Sequence, residues 1–212
     1  MSEVNENPSL PLRQRQALET RRLIAEAARS LFLEKGYGTS TIEAIAARAG
    51  VAVSTVYAVF RTKRAVLKEI RMAWHEGSKI RDVISSSTSE QDPASRLHSF
   101  AHATRRQWET GSHIIAIYRG AAAADSEAAA ELAEALKGRR AGLNAFTASL
   151  ERFLRPGLSP LRAAALVRAL CLPEVYEELV GESGWTADDY EKWLAAILTR
   201  ELLPSRIGRP PR

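Results

Sequence analysis

The chain has 212 residues, 45% of them hydrophobic, with a formal net charge of +5 and a single cysteine, Cys171. This composition excludes a wholly disordered chain, a bilayer-spanning segment, since no apolar run nears the ~18 residues required, and any intrachain disulfide. The polar stretch from Met1 to Gln16, with Pro8 and Pro11, lacks the apolar core of a signal peptide, so a reducing cytoplasm is expected.

The first helix is expected to open at Thr20 as N-cap and to close at Gly36. Leu23, Ala27 and Leu31, with Ile24, Ala28 and Phe32, give it one broad apolar face. Ser40-Thr41-Ile42-Glu43 reads as a capping box, with the Ser40 hydroxyl on the N3 amide and Glu43 reaching back. The second helix should bury Ile42, Ile45, Ala46 and Ala49 and end at Gly50. A very short third helix then runs to about Phe60 with Val56 and Phe60 on one face, and Thr62 caps a fourth carrying Val66, Leu67, Ile70 and Trp74. Two short helices about a tight glycine turn are the plan of a helix-turn-helix.

Ser85–Ser89 reads as a loop, and Pro93 suits the first turn of another helix. Helices are expected over about 93–110 and from Gly111 to about Gly120, then over 126–154, ended by Pro156-Gly157. Another should run from Ser159 to Val180, kinked at Pro173. The last starts at Thr186, with Asp188 and Asp189 in its first turn, and stops before Pro204. The fold class is all-α. The expected organisation is a flexible arm (1–19), a three-helix helix-turn-helix domain (20–65), a helical effector-binding and dimerisation domain (66–203) and a basic tail (204–212).

Charge is unevenly spread. Between Arg13 and Arg81 stand fourteen basic and six acidic side chains, a net of +8 that leaves −3 for the rest of the chain. A polyanion partner for the first third is one reading, because phosphate neutralisation supplies most non-specific DNA affinity. A merely solvated basic surface is the other.

The stretch from Thr20 to Ile70 contains LF-x-x-x-GY-x-x-x-T-I-x-x-I-A, then AG-V, T-V-Y-x-x-F and Lys63. In this ordered combination it resembles the tetracycline-repressor (TetR) family of bacterial regulators. The resemblance implies a dimer that binds a palindromic operator in double-stranded DNA, most often as a repressor, and releases it on binding a small-molecule effector. It places Val53, Ser54, Thr55, Tyr57 and Ala58 on the DNA face of the third helix, Thr41 at a phosphate-contact position, and Tyr57 and Lys63 as backbone anchors. Small or polar outward residues are also what a helix entering the major groove needs.

Ala52 and Val53 depart from the Ser and Lys of many relatives, and Ala58 and Val59 replace polar or aromatic residues. The recognition helix therefore loses a hydroxyl cap unless Ser54 supplies one. With no Arg, Asn or Gln on that face, apolar contact with thymine methyls is expected to carry much of the readout. Arg13 and Arg15 could reach a minor groove as a basic arm, or be incidental charge on a leader.

A two-fold dimer is the usual means of reading enough bases. The resemblance places its interface on the last two long helices, where Leu166, Leu170, Tyr190, Trp193, Leu194 and Ile197 stand. Ordinary intrachain core is the competing role for each. Between about 65 and 180, Trp74, His75, Phe100, Trp108, His113, Ile117, Tyr118, Phe146 and Tyr176 are the side chains suited to line an effector pocket. His98 and His102 share a helix face, but HSFAH lacks a zincin glutamate and no third ligand follows, so no metal is expected. Cys171 reads as a small buried apolar residue. No G-x-S-x-G, phosphate-cradling glycine loop or paired cysteine motif occurs. No enzyme activity and no cofactor is expected. The alternative function is a helical ligand-binding dimer or adaptor without DNA affinity.

Overall fold

A computed structural model describes residues 11–77 and 92–204. The expected loop at Ser85–Ser89 lies outside them, as do residues 1–10 and 205–212. The described residues are all-α, with no strand among them. They fall into two compact units, one formed by the chain up to Arg71 together with Ile117–Ala129, the other by Met72–Ala116 and Ala130 onward.

The first unit opens with α1, Leu12–Lys35. Thr20 does not cap it: the helix already starts after Pro11, and the Thr20 hydroxyl donates to the Gln16 carbonyl at 2.9 Å. Leu12–Glu19 is rich in strong helix formers, and a threonine inside a helix can back-bond four residues upstream. Residues 12–19 are therefore helix, not flexible arm. Ile24, Ala28, Leu31 and Phe32 are buried, whereas Leu23 is 39% exposed.

Helix α2, Ile42–Ala49, is capped by Thr41, not Ser40, because the Thr41 hydroxyl accepts from the Ala44 amide at 3.2 Å. The Ser40 hydroxyl is buried and donates backward to the Gly36 carbonyl at 2.8 Å. Ile45 and Ala46 are buried, while Ile42 and Ala49 are half-buried. Gly50 adopts the left-handed conformation (φ 68°, ψ 30°). Its amide reaches the Ala47 carbonyl and that of Val51 the Ala46 carbonyl, a paired closure of the helix end. Helix α3, Val53–Phe60, follows at once, and α4, Lys63–Gly77, is capped by Thr62 through the Ala65 amide at 3.1 Å.

Helix α5, Pro93–Ala124, contributes its last turns to the first unit. There the Tyr118 hydroxyl donates to the Leu67 carbonyl at 3.2 Å and accepts from Arg71 Nε at 3.2 Å. The expected break at Gly111 is absent: α5 is one 32-residue helix through Gly111 and Gly120.

The second unit holds the rest of α5 and most of α6, Ser126–Ala148, followed by a 3-10 turn at Glu151–Phe153. Helix α6 stops before the expected 154. Arg96 terminates it from α5, donating through Nη2 to Ser149 Oγ at 2.6 Å and through Nη1 to the Ser149 carbonyl at 3.2 Å. Helix α7, Pro160–Leu170, is capped by Ser159. Pro173 breaks the expected 159–180 helix instead of kinking it. Leu172 is extended (ψ 144°), as a residue before proline prefers, and Pro173 begins a new helix α8, Pro173–Tyr176. A π-helical turn at Glu177–Glu182 leads to α9, Ala187–Leu202, whose Thr186 cap accepts from the Asp189 amide at 3.1 Å. The core of this unit gathers Leu97, Phe100, Trp108, Phe146, Leu150, Val167, Tyr190, Leu194 and Leu198.

Candidate DNA interface and effector core

Helices α2 and α3 turn through 107°, within the range of a helix-turn-helix. Val56 and Phe60 are 1% and 4% exposed and pin α3 to the core. The opposite face is open: Val53, Ser54, Tyr57 and Ala58 are exposed and Thr55 is half-buried. Tyr57, 48% exposed, is the large side chain projecting from this surface. No side chain caps α3; Ser54 does not replace the missing hydroxyl at Ala52.

The α3–α4 junction is strained. Arg61 has φ 59° and ψ −39°, and the Thr62 amide reaches back to the Phe60 carbonyl at 2.6 Å. This is a tight three-residue turn with positive φ on a residue bearing a Cβ. It ends α3 after two turns and places Thr62 to cap α4.

Lys63 has a second task besides any phosphate contact. Its ammonium donates to the Tyr37 carbonyl at 2.8 Å and the Ser40 carbonyl at 3.0 Å, and stands 4.2 Å from the centre of the Tyr37 ring. Burial holds its pKa below the usual lysine value. The Tyr37 phenol is pushed up to about 12, first by burial and then by the nearby Asp125 carboxylate. Lys63 thus ties the start of α4 to the α1–α2 connection and leaves one ammonium proton for another acceptor. The Thr41 hydroxyl, accepting from Ala44, keeps its own proton to donate outward. Glu34 receives Arg48 through both oxygens at 2.5 and 2.8 Å, bracing α2 on α1. Arg21 does the same for α4 through Glu69 at 2.6 Å.

Arg13 and Arg15 lie within α1. Their backbone is helical, not extended.

Residues 24–70, from the second half of α1 to the middle of α4, match the sequence profile of the bacterial regulatory proteins of the tetR family. This segment, and not the rest of the chain, is matched to the tetR family. Solved structures of similar fold include NalD, the secondary repressor of the MexAB-OprM multidrug efflux pump in Pseudomonas aeruginosa. It is 22% identical, with 90% of this chain and 99% of that one covered and a TM-score of 0.71. SmeT in complex with triclosan is 20% identical over 91% and 96% of the two chains, with a TM-score of 0.69. The fatty acid degradation regulator FadR of Bacillus halodurans is 20% identical over 90% and 97%, with a TM-score of 0.66. No curated protein sequence matches significantly.

The side chains expected around an effector divide between the units. Ile117 and Tyr118 belong to the first, where Tyr118 is bonded to Leu67 and Arg71. In the second, Phe100 stacks on Phe146 with ring centres 4.0 Å apart, and Trp74 lies 6.5 Å from Trp108. Tyr176 meets Tyr190 edge-on at 4.9 Å. His75 and His113 are half-buried. His98 and His102 turn to separate partners, the Ala94 carbonyl and the Glu191 carboxylate.

Arg139 escaped the sequence reading. Its Nη2 donates to the Cys171 carbonyl, and its guanidinium lies 5.3 Å from the centre of the Trp108 ring. A signal was present: Arg139, Leu143, Phe146 and Leu150 share one helical stripe, so a charge sits in an apolar face.

Of the residues expected at a dimer interface, Tyr190 and Leu194 are each 0% exposed and belong to the protomer's own core. With no free surface they cannot meet a partner directly. Leu166, Leu170, Trp193 and Ile197 remain half-buried at its edge. A groove of about 530 Å³ beside them is lined by Arg155, Leu158, Arg162, Leu166 and Glu201, and none of the expected effector residues reaches it.

Proposed function

We propose that this protein is a cytoplasmic transcriptional repressor that binds a palindromic operator as a homodimer and is released by a small-molecule effector. The open face of α3, held by buried Val56 and Phe60 within a TetR-family domain, is the observation that carries this reading. Val53, Ser54, Thr55, Tyr57 and Ala58 meet base edges and adjoining phosphates, and Thr41 and Lys63 hold the flanking backbone. Two copies place their α3 helices in successive major grooves about 34–36 Å apart. Leu166, Leu170, Trp193 and Ile197 contribute to the partner contact.

The second unit supplies the effector response; the related fold of SmeT is known in complex with triclosan. Helix α4 passes residue 71, where the chain leaves one unit for the other, and carries the signal. An effector releases DNA only to the extent that it binds the non-binding arrangement more tightly.

Selection of genomic fragments by the purified protein, followed by titration of the enriched fragment at several salt concentrations, tests the proposal. Enrichment of a palindrome whose affinity falls steeply with salt is expected. Failure to bind any fragment at low salt overturns it in favour of a helical adaptor without DNA affinity.

A further inference from the structure

At four described positions with positive φ the chain uses glycine: Gly36, Gly50, Gly157 and Gly184. Arg61 is the exception among the described residues. Its backbone (φ 59°, ψ −39°) lies near the strained hand of the γ-turn, closed by the Thr62 amide on the Phe60 carbonyl at 2.6 Å. Glycine would make this turn with no Cβ to strain. A strained backbone under a long charged side chain points to a use for that side chain.

Arg61 braces nothing within its unit. Arg21, Arg48 and Arg64 each reach a glutamate on another helix, namely Glu69, Glu34 and Glu127. Arg61 is exposed and, among the described residues, has no such partner. Its place is on the open face of α3. The Arg61 amide still donates to the Tyr57 carbonyl at 2.9 Å, so Ser54, Tyr57, Ala58 and Arg61 follow one another at i, i+3, i+4 and i+7, all exposed. At positive φ the Cβ takes the position that the carbonyl carbon would hold in a continuing helix. The side chain therefore runs onward along the path of α3, past its last turn. A recognition helix meets base edges with its N-terminal residues, which leaves its far end to the sugar-phosphate strand. A guanidinium suits that strand, because it meets a phosphate through two parallel charge-assisted bonds.

We propose that Arg61 grips a DNA phosphate on the strand bordering the groove that α3 enters, and that the strained turn serves to aim it there. The inference rests on the reading of α3 as a recognition helix and gives that helix a backbone anchor at its far end.

The test is a fluorescence-anisotropy titration of the full-length protein on a labelled mixed-sequence DNA duplex at several salt concentrations. A phosphate contact is blind to sequence, so the operator need not be known. Arg61→Gly is expected to melt at the parent's temperature or above, since glycine accepts positive φ. It should nonetheless bind about tenfold more weakly, and its slope of log affinity against log salt should fall by about one for each protomer engaged. Arg61→Lys, which keeps both the charge and the Cβ, should retain the parent slope. A cation serving only the negative end of the α3 dipole would behave in the opposite way, with a lower melting temperature and unchanged DNA affinity. Should Arg61→Gly melt below the parent, Arg61→Gln, which keeps the Cβ and most of the stem, decides by the same slope.

Equal affinities and slopes for the parent and the neutral variants overturn the contact and leave the operator reading intact. A parent that binds no duplex at low salt overturns the reading of α3 as a recognition helix, and this contact with it.

Discussion

The Trp74 indole fills the space into which a side chain at Gly111 would project: a Cβ there would lie 2.1 Å from ring atoms Cε2 and Cζ2. Gly111 is thus a helical residue kept small by a neighbour, not a helix terminator. Gly111→Ala is expected to destabilise the protein by about 1–3 kcal/mol through overpacking, although alanine is the better helix former. Gly120→Ala, on the same helix with nothing within 4 Å of its Cβ, should instead stabilise by up to about 1 kcal/mol. Thermal unfolding of the pair checks this, and two shifts of the same sign would refute it.

That contrast shows where the sequence was readable. The Gly50 turn, the Thr62 and Thr186 caps and the inward Val56 and Phe60 are local features, fixed by hydroxyls, glycine and apolar spacing within a few residues. What was illegible depended on distant partners. The continuity of α5 through Gly111 depends on Trp74, and the early stop of α6 depends on Arg96 taking the Ser149 carbonyl. Tyr190 and Leu194 lie on an apolar stripe that one chain buries completely, and spacing does not tell an inner core from a partner's surface. Arg139 shows in the sequence only as a charge in the stripe with Leu143 and Phe146, and its partner Cys171 lies 32 residues away.

Lys63 binds two carbonyls on the α1–α2 connection, so its loss should be felt in stability as well as in DNA affinity. Lys63→Met, which keeps the aliphatic stem, is expected to cost about 2 kcal/mol, the scale of hydrogen bonds to a charged group. Operator and unrelated DNA should weaken alike, and the slope of log affinity against log salt should fall by about one. Denaturant unfolding and salt-dependent titration measure the two effects. Unchanged stability would show that the carbonyl contacts are dispensable.

An apolar Val53 at the exposed start of α3 suits a thymine methyl better than a hydrogen-bonding edge. Replacing the contacted thymine by uracil removes one methyl, worth about 0.8 kcal/mol or roughly a fourfold loss. Val53→Ala should lose a similar amount, and the two changes together should lose little more than either alone. A double-mutant cycle on the selected operator measures this coupling. Strict additivity would place Val53 away from that base.

Cys171 is 1% exposed, and burial pushes its thiol up to about 12 from an ordinary value near 9. The folded chain therefore holds a proton that the unfolded chain releases, and stability must fall as pH rises from about 9 to 12. The Tyr37 phenol, raised to about 12 from 10, adds to the loss above pH 10. Cys171→Ala should be less stable than the parent at pH 8 because a packed sulfur is lost. It should lose less stability between pH 9 and 12, so that the two curves converge. At pH 8 the parent thiol should resist an aromatic disulfide reagent until urea unfolds the chain, since the reactive thiolate is absent from the fold. Rapid labelling of the native protein, or parallel stability curves for the two proteins, would show that the thiol is open to water and that its burial does not govern the alkaline limit.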